Sequence, residues 1–536
     1  MILRRICGAI CSGVMLLISH SAHAATYNVK SAPYNATGNG TTDDWNAIQN
    51  AVNDAINAGS GNTVYIPAGN YLLNSSISIN IDHANGLTVQ GDPGTTLLNG
   101  KTNDLMRVTN SSNVTITSIT GDAAALWFTQ GTITAVSGNT ATVSVDSGYP
   151  AANRSDFSTQ IAAGQQRLRI WSDPAWPNYD NTLQPVITGV TPSGGNYIFN
   201  LDSPLDPSMI GKKWAIWNFA GGWGIVTFFN TGPVNITNFR WYGGGAGPGL
   251  GISKNSGTTT ITDTYIGPPP GSNRLVTATG GIGVQGNRGA ITIDRLNEQQ
   301  VDDDGIDCGT DLAHITGHPS ANVITTPSND GNILGYYVGD TVQIWDWTYQ
   351  QQKVRDTAVI TGVVHNGDGS WTLTLNHNVT VVNTGAGPGD TNWSAQEADG
   401  IDRVCDLNNA APLYLRNSRI QDMRARCLLL KAPGSIIENN TFWGSEHGLT
   451  ATAEMFWHGG PAISNLTIRN NTFDRISSNA CWVGVNYSTA AGSCSNITVT
   501  GNTFKSCGSN RPYSDGIFGG QSDLRGVGVC LNNTNG

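Results

Sequence analysis

The stretch Val301-Asp302-Asp303-Asp304-Gly305-Ile306-Asp307-Cys308 places four carboxylates within six residues. Side chains alternate along an extended strand, so a strand here would hold Asp302 and Asp304 on one face, about 6.5–7 Å apart. That spacing matches the roughly 6.5–9.5 Å between acid and base in inverting glycosidases. Crowding of like charges raises at least one carboxyl pKa, which leaves a protonated acid beside an ionised base. A polar turn or a calcium site would use the same residues.

Further candidates lie downstream. Glu397-Ala398-Asp399-Gly400-Ile401-Asp402 repeats the Asp-Gly-Ile-Asp of residues 304–307. It reads either as a strand that brings Asp399 and Asp402 near the first cluster or as a solvated loop. Arg426 can grip a sugar hydroxyl or a carboxylate through two parallel hydrogen bonds, or pair with a neighbouring aspartate. Lys431 follows on the same segment. Glu446-His447 and Glu454-Met455-Phe456-Trp457-His458 sit between repeats. There Trp457 offers a stacking platform and Glu454 a hydroxyl clamp, while His447 and His458 suit structural roles better than catalytic ones.

Internal repetition supplies the elements that position these groups. Ile437-Glu438-Asn439-Asn440-Thr441-Phe442, Ile468-Arg469-Asn470-Asn471-Thr472-Phe473 and Val499-Thr500-Gly501-Asn502-Thr503-Phe504 recur at an interval of 31 residues. Each copy is a short β-rich run, an Asn at a bend and an aromatic, as expected of coils that stack one side-chain row on the next. Asn tolerates the left-handed backbone such bends need. Weaker copies begin at Asn113, Asn235, Thr259 and Ala290. The expected fold is all-β: a right-handed parallel β-helix.

Trp45, Ile48, Val52 and Ile56 fall at helical spacing after Thr42-Asp43-Asp44, with Thr42 or Asp43 as N-cap. A helix there would close the open end of the stack. Two stretches break the coil rhythm with alternating strands and Gly-rich turns, and they read as small inserted β-domains. The expected organisation is coils over 25–127, an insert over 128–223, coils over 224–312, a second insert over 313–393, and coils over 394–536.

Arg4 and Arg5, an apolar run from Ile6 to Ile18, and Ala22-His23-Ala24 read as a cleaved export signal over 1–24, so the mature chain is expected to be secreted or periplasmic. The net charge of −10 does not favour a nucleic-acid partner, and no long apolar run suggests a membrane span. Only 12% of residues are charged and 66 are Gly, which suits β coils with many tight turns. Cys481 with Cys494, and Cys507 with Cys530, read equally as disulfides or as buried small hydrophobes. Nothing in the spacing suggests zinc. No cofactor is implied, with calcium the one metal the carboxylates could take.

Gly38-Asn39-Gly40-Thr41-Thr42-Asp43-Asp44, Ala47-Ile48-Gln49 and Val64-Tyr65-Ile66-Pro67-Ala68-Gly69-Asn70-Tyr71 resemble the opening of the pectate-lyase-like superfamily. That resemblance implies the β-helix but not the chemistry. The later half is similar to glycoside hydrolase family 110, the bacterial inverting α-galactosidases. The similarity lies in Asp303-Asp304-Gly305-Ile306, Arg424-Ala425-Arg426-Cys427-Leu428-Leu429, Ile437 to Phe442, and Glu454 with Trp457 ahead of Gly459-Gly460-Pro461. It implies an oligosaccharide or polysaccharide substrate and a catalytic role for Asp303 and Asp304. One stretch departs: where that family carries an upstream catalytic Asp followed by a His, this chain reads Thr279-Gly280-Gly281-Ile282-Gly283-Val284. Asp399 or Asp402 is the expected replacement. Lyases of the same fold use Lys or Arg as base, a part Lys431 could play on a uronate, and a non-catalytic glycan-binding β-helix is the third alternative.

Overall fold

The computed structural model describes residues 24–101, 103–173, 176–179, 185–218, 225–243, 247–276, 280–327, 335–348, 352–385, 400–454, 457–485, 494–507, 528–531 and 534–535. The export signal expected over 1–24 therefore lies almost wholly outside the described residues. Three parallel sheets run the length of the molecule, two of twelve strands and one whose main path has nine. They form the walls of a β-helix. The sequence repeats map onto one sheet, where Val114–Thr117, Val234–Thr237, Thr259–Thr262 and Ile291–Asp294 are successive neighbours. Alternate residues of these strands point inward, and they fill one continuous core from Val29 to Phe504.

The paired asparagines of the 31-residue repeat do two different jobs. Asn439 and Asn470 take φ of 57° and 55°, and Gly501 replaces them at 65° in the third copy. The second asparagine of each copy turns inward as a ladder. Asn471 Oδ1 accepts from the backbone N–H of Asn440 at 2.9 Å and from its side-chain amide at 3.0 Å, and Asn502 serves Asn471 the same way. Phe442, Phe473 and Phe504 stack beside it with ring centroids 5.0 Å apart. Asn471→Leu orphans the buried Asn440 amide at a cost of about 1–3 kcal/mol. A lower thermal midpoint than that of wild type is the expected result, whereas Asn470→Gly, at the left-handed position, should leave it nearly unchanged.

The helix Trp45–Asn57 buries Ile48, Ala51, Val52 and Ala55 against the first coils. Its N-cap is Asp44 rather than Thr42 or Asp43. The Asp44 carboxylate makes no cap bond, because it accepts from the Thr37 and Gly38 amides and so ties the incoming chain to the helix. Cys507 is a thiol with its Sγ near the carbonyls of Phe473 and Lys505, and the side chain of Cys530, its alternative disulfide partner, lies outside the described residues. Cys481 and Cys494 are both buried in the stack core.

Two excursions leave the stack, each a seven-stranded antiparallel sheet with its own core. The first starts with Phe128–Ser137, and the stack resumes at Val226–Phe229. The second starts with Ala313–His314 and ends with Arg403–Asp406, which pairs antiparallel to Ala313–His314 and Thr341–Asp346. The stack resumes only at Leu413–Arg416. The run ending in Asp402 therefore leads into a strand of the insert, not the strand that restarts the β-helix.

Candidate active site

The strand Ile306–Asp311 lies between Gly280–Gln285 and Arg426–Leu430 in the third sheet. The second insert separates two coils adjacent in space, so Asp304 and Arg426 meet across 122 residues of chain. Asp302 to Gly305 form a bend ahead of Ile306–Asp311, not part of the strand. Alternation therefore fails here, and Asp302 and Asp304 go to different partners. Gly305 is the pivot: its N–H bonds to the Arg426 carbonyl at 2.9 Å, and a methyl group on it would come within 2.7 Å of the Cys427 carbonyl oxygen.

Asp302 is buried between Arg169 of the first insert, at 3.5 Å, and Arg424, at 3.7 Å. Asp303 points outward, its side chain 48% accessible and 2.8 Å from Arg424 Nη2. Its carboxyl is pushed up to about 7, first by the protein packed around it and next by the charge of Asp304, against the pull of Arg424. Asp304 is gripped by Arg426 in two parallel bonds, Nε to Oδ1 at 2.7 Å and Nη2 to Oδ2 at 2.9 Å, and accepts a third from the Arg426 backbone N–H at 3.1 Å.

Arg426 reaches onward to Glu454 Oε1 at 2.6 Å; Glu454 Oε2 meets Lys431 Nζ at 3.1 Å, and Lys431 meets Asp307 Oδ1 at 2.6 Å. Asp304, Arg426, Glu454, Lys431 and Asp307 thus form one chain of alternating charge. Burial pushes the Glu454 carboxyl up, but Lys431 and Arg426 hold it below its ordinary value. Burial pulls Lys431 down, but Asp307 and Glu454 raise it, so the ammonium stays charged. Asp307 is raised, by burial first, and its second oxygen accepts from Gln285 at 3.1 Å. Lys431 passes between two glycines: a methyl group on Gly309 or Gly459 would lie 2.6 or 2.7 Å from its stem. Gly459–Gly460 pairs back onto Thr310–Asp311, which brings the loop carrying Glu454 over the site.

The remaining expected residues spread around this chain. His447 registers beside Arg426 and is held down to about 4 by burial and by the arginine's charge, so its imidazole is neutral. Glu446 Oε1 lies 3.7 Å from His447 Nε2. Trp457 is 58% accessible on the turn after Glu454, and His458 packs against the Trp347 and His314 rings. Asp402 is buried; its Oδ2 accepts from Arg355 at 2.7 Å and from the Val382 amide at 2.6 Å, all within the second insert. That structural use accounts for its burial, and Asp399 lies outside the described residues.

Sequence reasoning missed Asp422, which lines a crevice with Asp302, Arg424 and Trp171. Burial pushes its carboxyl up to about 8. It takes a φ of 59° at the end of Arg419–Gln421. Among the described residues no three carboxylate, thiol or imidazole groups are arranged to hold a metal ion. The carboxylates of the cluster turn instead to Arg424, Arg426 and Lys431.

Residues 26–161 match the family described as rhamnogalacturonase A/epimerase, pectate lyase-like, and residues 391–536 match the right-handed β-helix region family. No curated protein matches the chain. Among solved structures, the Dettilon tailspike protein (gp208) is 12% identical, with a TM-score of 0.38, over 95% of this chain and 59% of that one. The endo-xylogalacturonan hydrolase from Aspergillus tubingensis is 10% identical, with a TM-score of 0.41, over 93% and 91%. The Azotobacter vinelandii mannuronan C-5 epimerase AlgE4 A-module is 10% identical, with a TM-score of 0.31, over 95% and 95%. The chain spans less than two thirds of the tailspike's length. The family matches are to pectate-lyase-like and right-handed β-helix families, and neither is to an α-galactosidase family.

Proposed function

We propose that this chain is an exported glycoside hydrolase that cleaves its glycan by carboxylate acid–base catalysis. One observation carries the reading: adjacent carboxylates have been driven apart in character, Asp303 raised to about 7 and accessible, Asp304 held in the double grip of Arg426. An accessible carboxyl raised toward neutrality can serve as a general acid. Asp303 gives its proton to the leaving glycosidic oxygen. Both oxygens of Asp304 are occupied by Arg426, so Asp304 supplies fixed negative charge for the oxocarbenium-like transition state. Asp307 is 35% accessible and takes the proton of the attacking water, with Lys431 and Gln285 fixing its orientation. Trp457 offers its exposed ring to a sugar face.

The motif similarity around Asp303-Asp304 and Arg424 to Leu429 makes α-galactosides the first substrates to test and inversion the expected stereochemistry. Lys431 fits poorly as the base of an eliminating lyase, because it is buried, charged and bonded to two carboxylates. The test is a panel of α- and β-linked glycans, uronates included, followed by reducing-sugar release and ultraviolet absorbance. New reducing ends without a new absorbing double bond are expected. An unsaturated product would establish the lyase, and binding without cleavage would establish a glycan-binding β-helix.

A further inference from the structure

Glu298 interrupts an otherwise apolar row inside the β-helix. In register along the second sheet, the inward positions are Trp241, Ile266, Glu298, Ile420 and Phe442. Glu298 is fully buried, and among the described residues no hydrogen-bond donor reaches either carboxyl oxygen. An ionised carboxylate in that setting is very costly. A methyl group placed on Gly281 would lie 1.6 Å from Glu298 Oε1 and 2.2 Å from the carbonyl oxygen of Gly305, so the two oxygens converge on one small space. A methyl group on Gly305 would lie 3.0 Å from Glu298 Oε2. Two acceptor oxygens brought together in a dry core repel each other unless a proton lies between them.

We infer that Glu298 is a neutral carboxylic acid that donates to the Gly305 carbonyl, and that this bond fixes the bend carrying Asp302, Asp303 and Asp304. The Gly281 and Ile282 amides also hold the bend, donating to the Asp304 and Gly305 carbonyls at 3.1 and 2.6 Å. Burial alone pushes the Glu298 carboxyl well above its ordinary value. Cys427, the titratable neighbour from the next coil, is itself raised to about 12 by burial, and its thiol donates to the Ile420 carbonyl and to Ser445. The bend's own Asp303 and Asp304 are engaged by Arg424 and Arg426. Glu298 is thus a positioning residue, and only its link to catalysis rests on the proposed glycosidase reading.

Two variants test it. Glu298→Gln keeps the shape and an N–H donor, whereas Glu298→Leu completes the apolar row and removes the donor. A carboxyl raised in the folded state stabilises fully below its unfolded pKa, and that contribution is lost as pH rises toward the folded value. The thermal midpoint of Glu298→Gln should therefore gain on wild type progressively as pH rises above the ordinary carboxylate range. Its Gly281 and Ile282 amides should keep wild-type hydrogen-exchange protection. In Glu298→Leu those two amides should exchange about tenfold faster or more, and kcat should fall about tenfold with KM little changed. A midpoint difference flat with pH would overturn the neutral acid, and wild-type amide protection in Glu298→Leu would overturn the bracing bond. If Glu298→Leu does not fold, the pH series on Glu298→Gln still decides the protonation state. The exchange and midpoint readings need no substrate, so they stand apart from any failure of the glycosidase reading.

Discussion

Asp303→Asn is expected to lower kcat on a natural glycan by about 10²–10⁴-fold, the usual contribution of a positioned general acid. The substitution keeps the size of the side chain and leaves Arg424 an oxygen to bond, so the fold and the thermal midpoint should hold. A sugar carrying a nitrophenyl leaving group departs as a stable anion and needs little protonation. On that substrate most of the loss should disappear. A variant equally slow on both substrates would place Asp303 outside the proton transfer, and an unimpaired variant would remove it from catalysis altogether. Asp307→Asn should behave differently, slow on both, because the attacking water loses its base whatever the leaving group.

Glu454→Gln is expected to have the largest effect on stability. Glu454 sits between Arg426 and Lys431, and the Glu454 and Lys431 side chains are each only 3% accessible. Removing its charge leaves two buried cations to share Asp304 and Asp307, and breaking a buried ion pair costs about 3–5 kcal/mol. Its pKa is lowered in the folded state, so its contribution is full above the ordinary carboxylate range and lost as pH falls through the depressed value. The variant's thermal midpoint should drop clearly at neutral pH, and the gap to wild type should narrow in acid. A midpoint unchanged by Glu454→Gln would mean that water or a rearranged partner already serves the cations.

Local pattern was enough for the stack. The Asn-Asn pair at 439–440 and 470–471, and Gly501-Asn502 in the third copy, mark a backbone requirement and a ladder, and both lie within one coil of their partners. The helix Trp45–Asn57 was legible because Ile48 and Val52 fall on one face, although its cap slipped by one residue when Asp44 turned to Thr37 and Gly38. The site was legible only in part. The carboxylates stood out by crowding and the cations by their place on the next coil, but the partnerships depend on two coils that an insert separates in sequence. Strand alternation misled at Asp302 and Asp304 because the strand begins only at Ile306, after a bend. The Asp-Gly-Ile-Asp echo at Asp402 is local, whereas its pairing with Arg355 depends on another strand of the insert. Glu298 gave no signal, since a single carboxyl within a β-rich run looks like any solvent-facing residue.

The most direct measurement is the pH dependence of kcat/KM on the glycan that the substrate panel identifies, for wild type and Asp303→Asn side by side. An acid raised to about 7 must be protonated to work, so wild-type activity should fall on the alkaline side with a midpoint near 7. His447, held down to about 4, cannot supply such a limb. The limb should vanish in Asp303→Asn. A wild-type profile level through neutrality, or an alkaline limb that survives unchanged in the variant, would contradict the assignment of Asp303 as the acid.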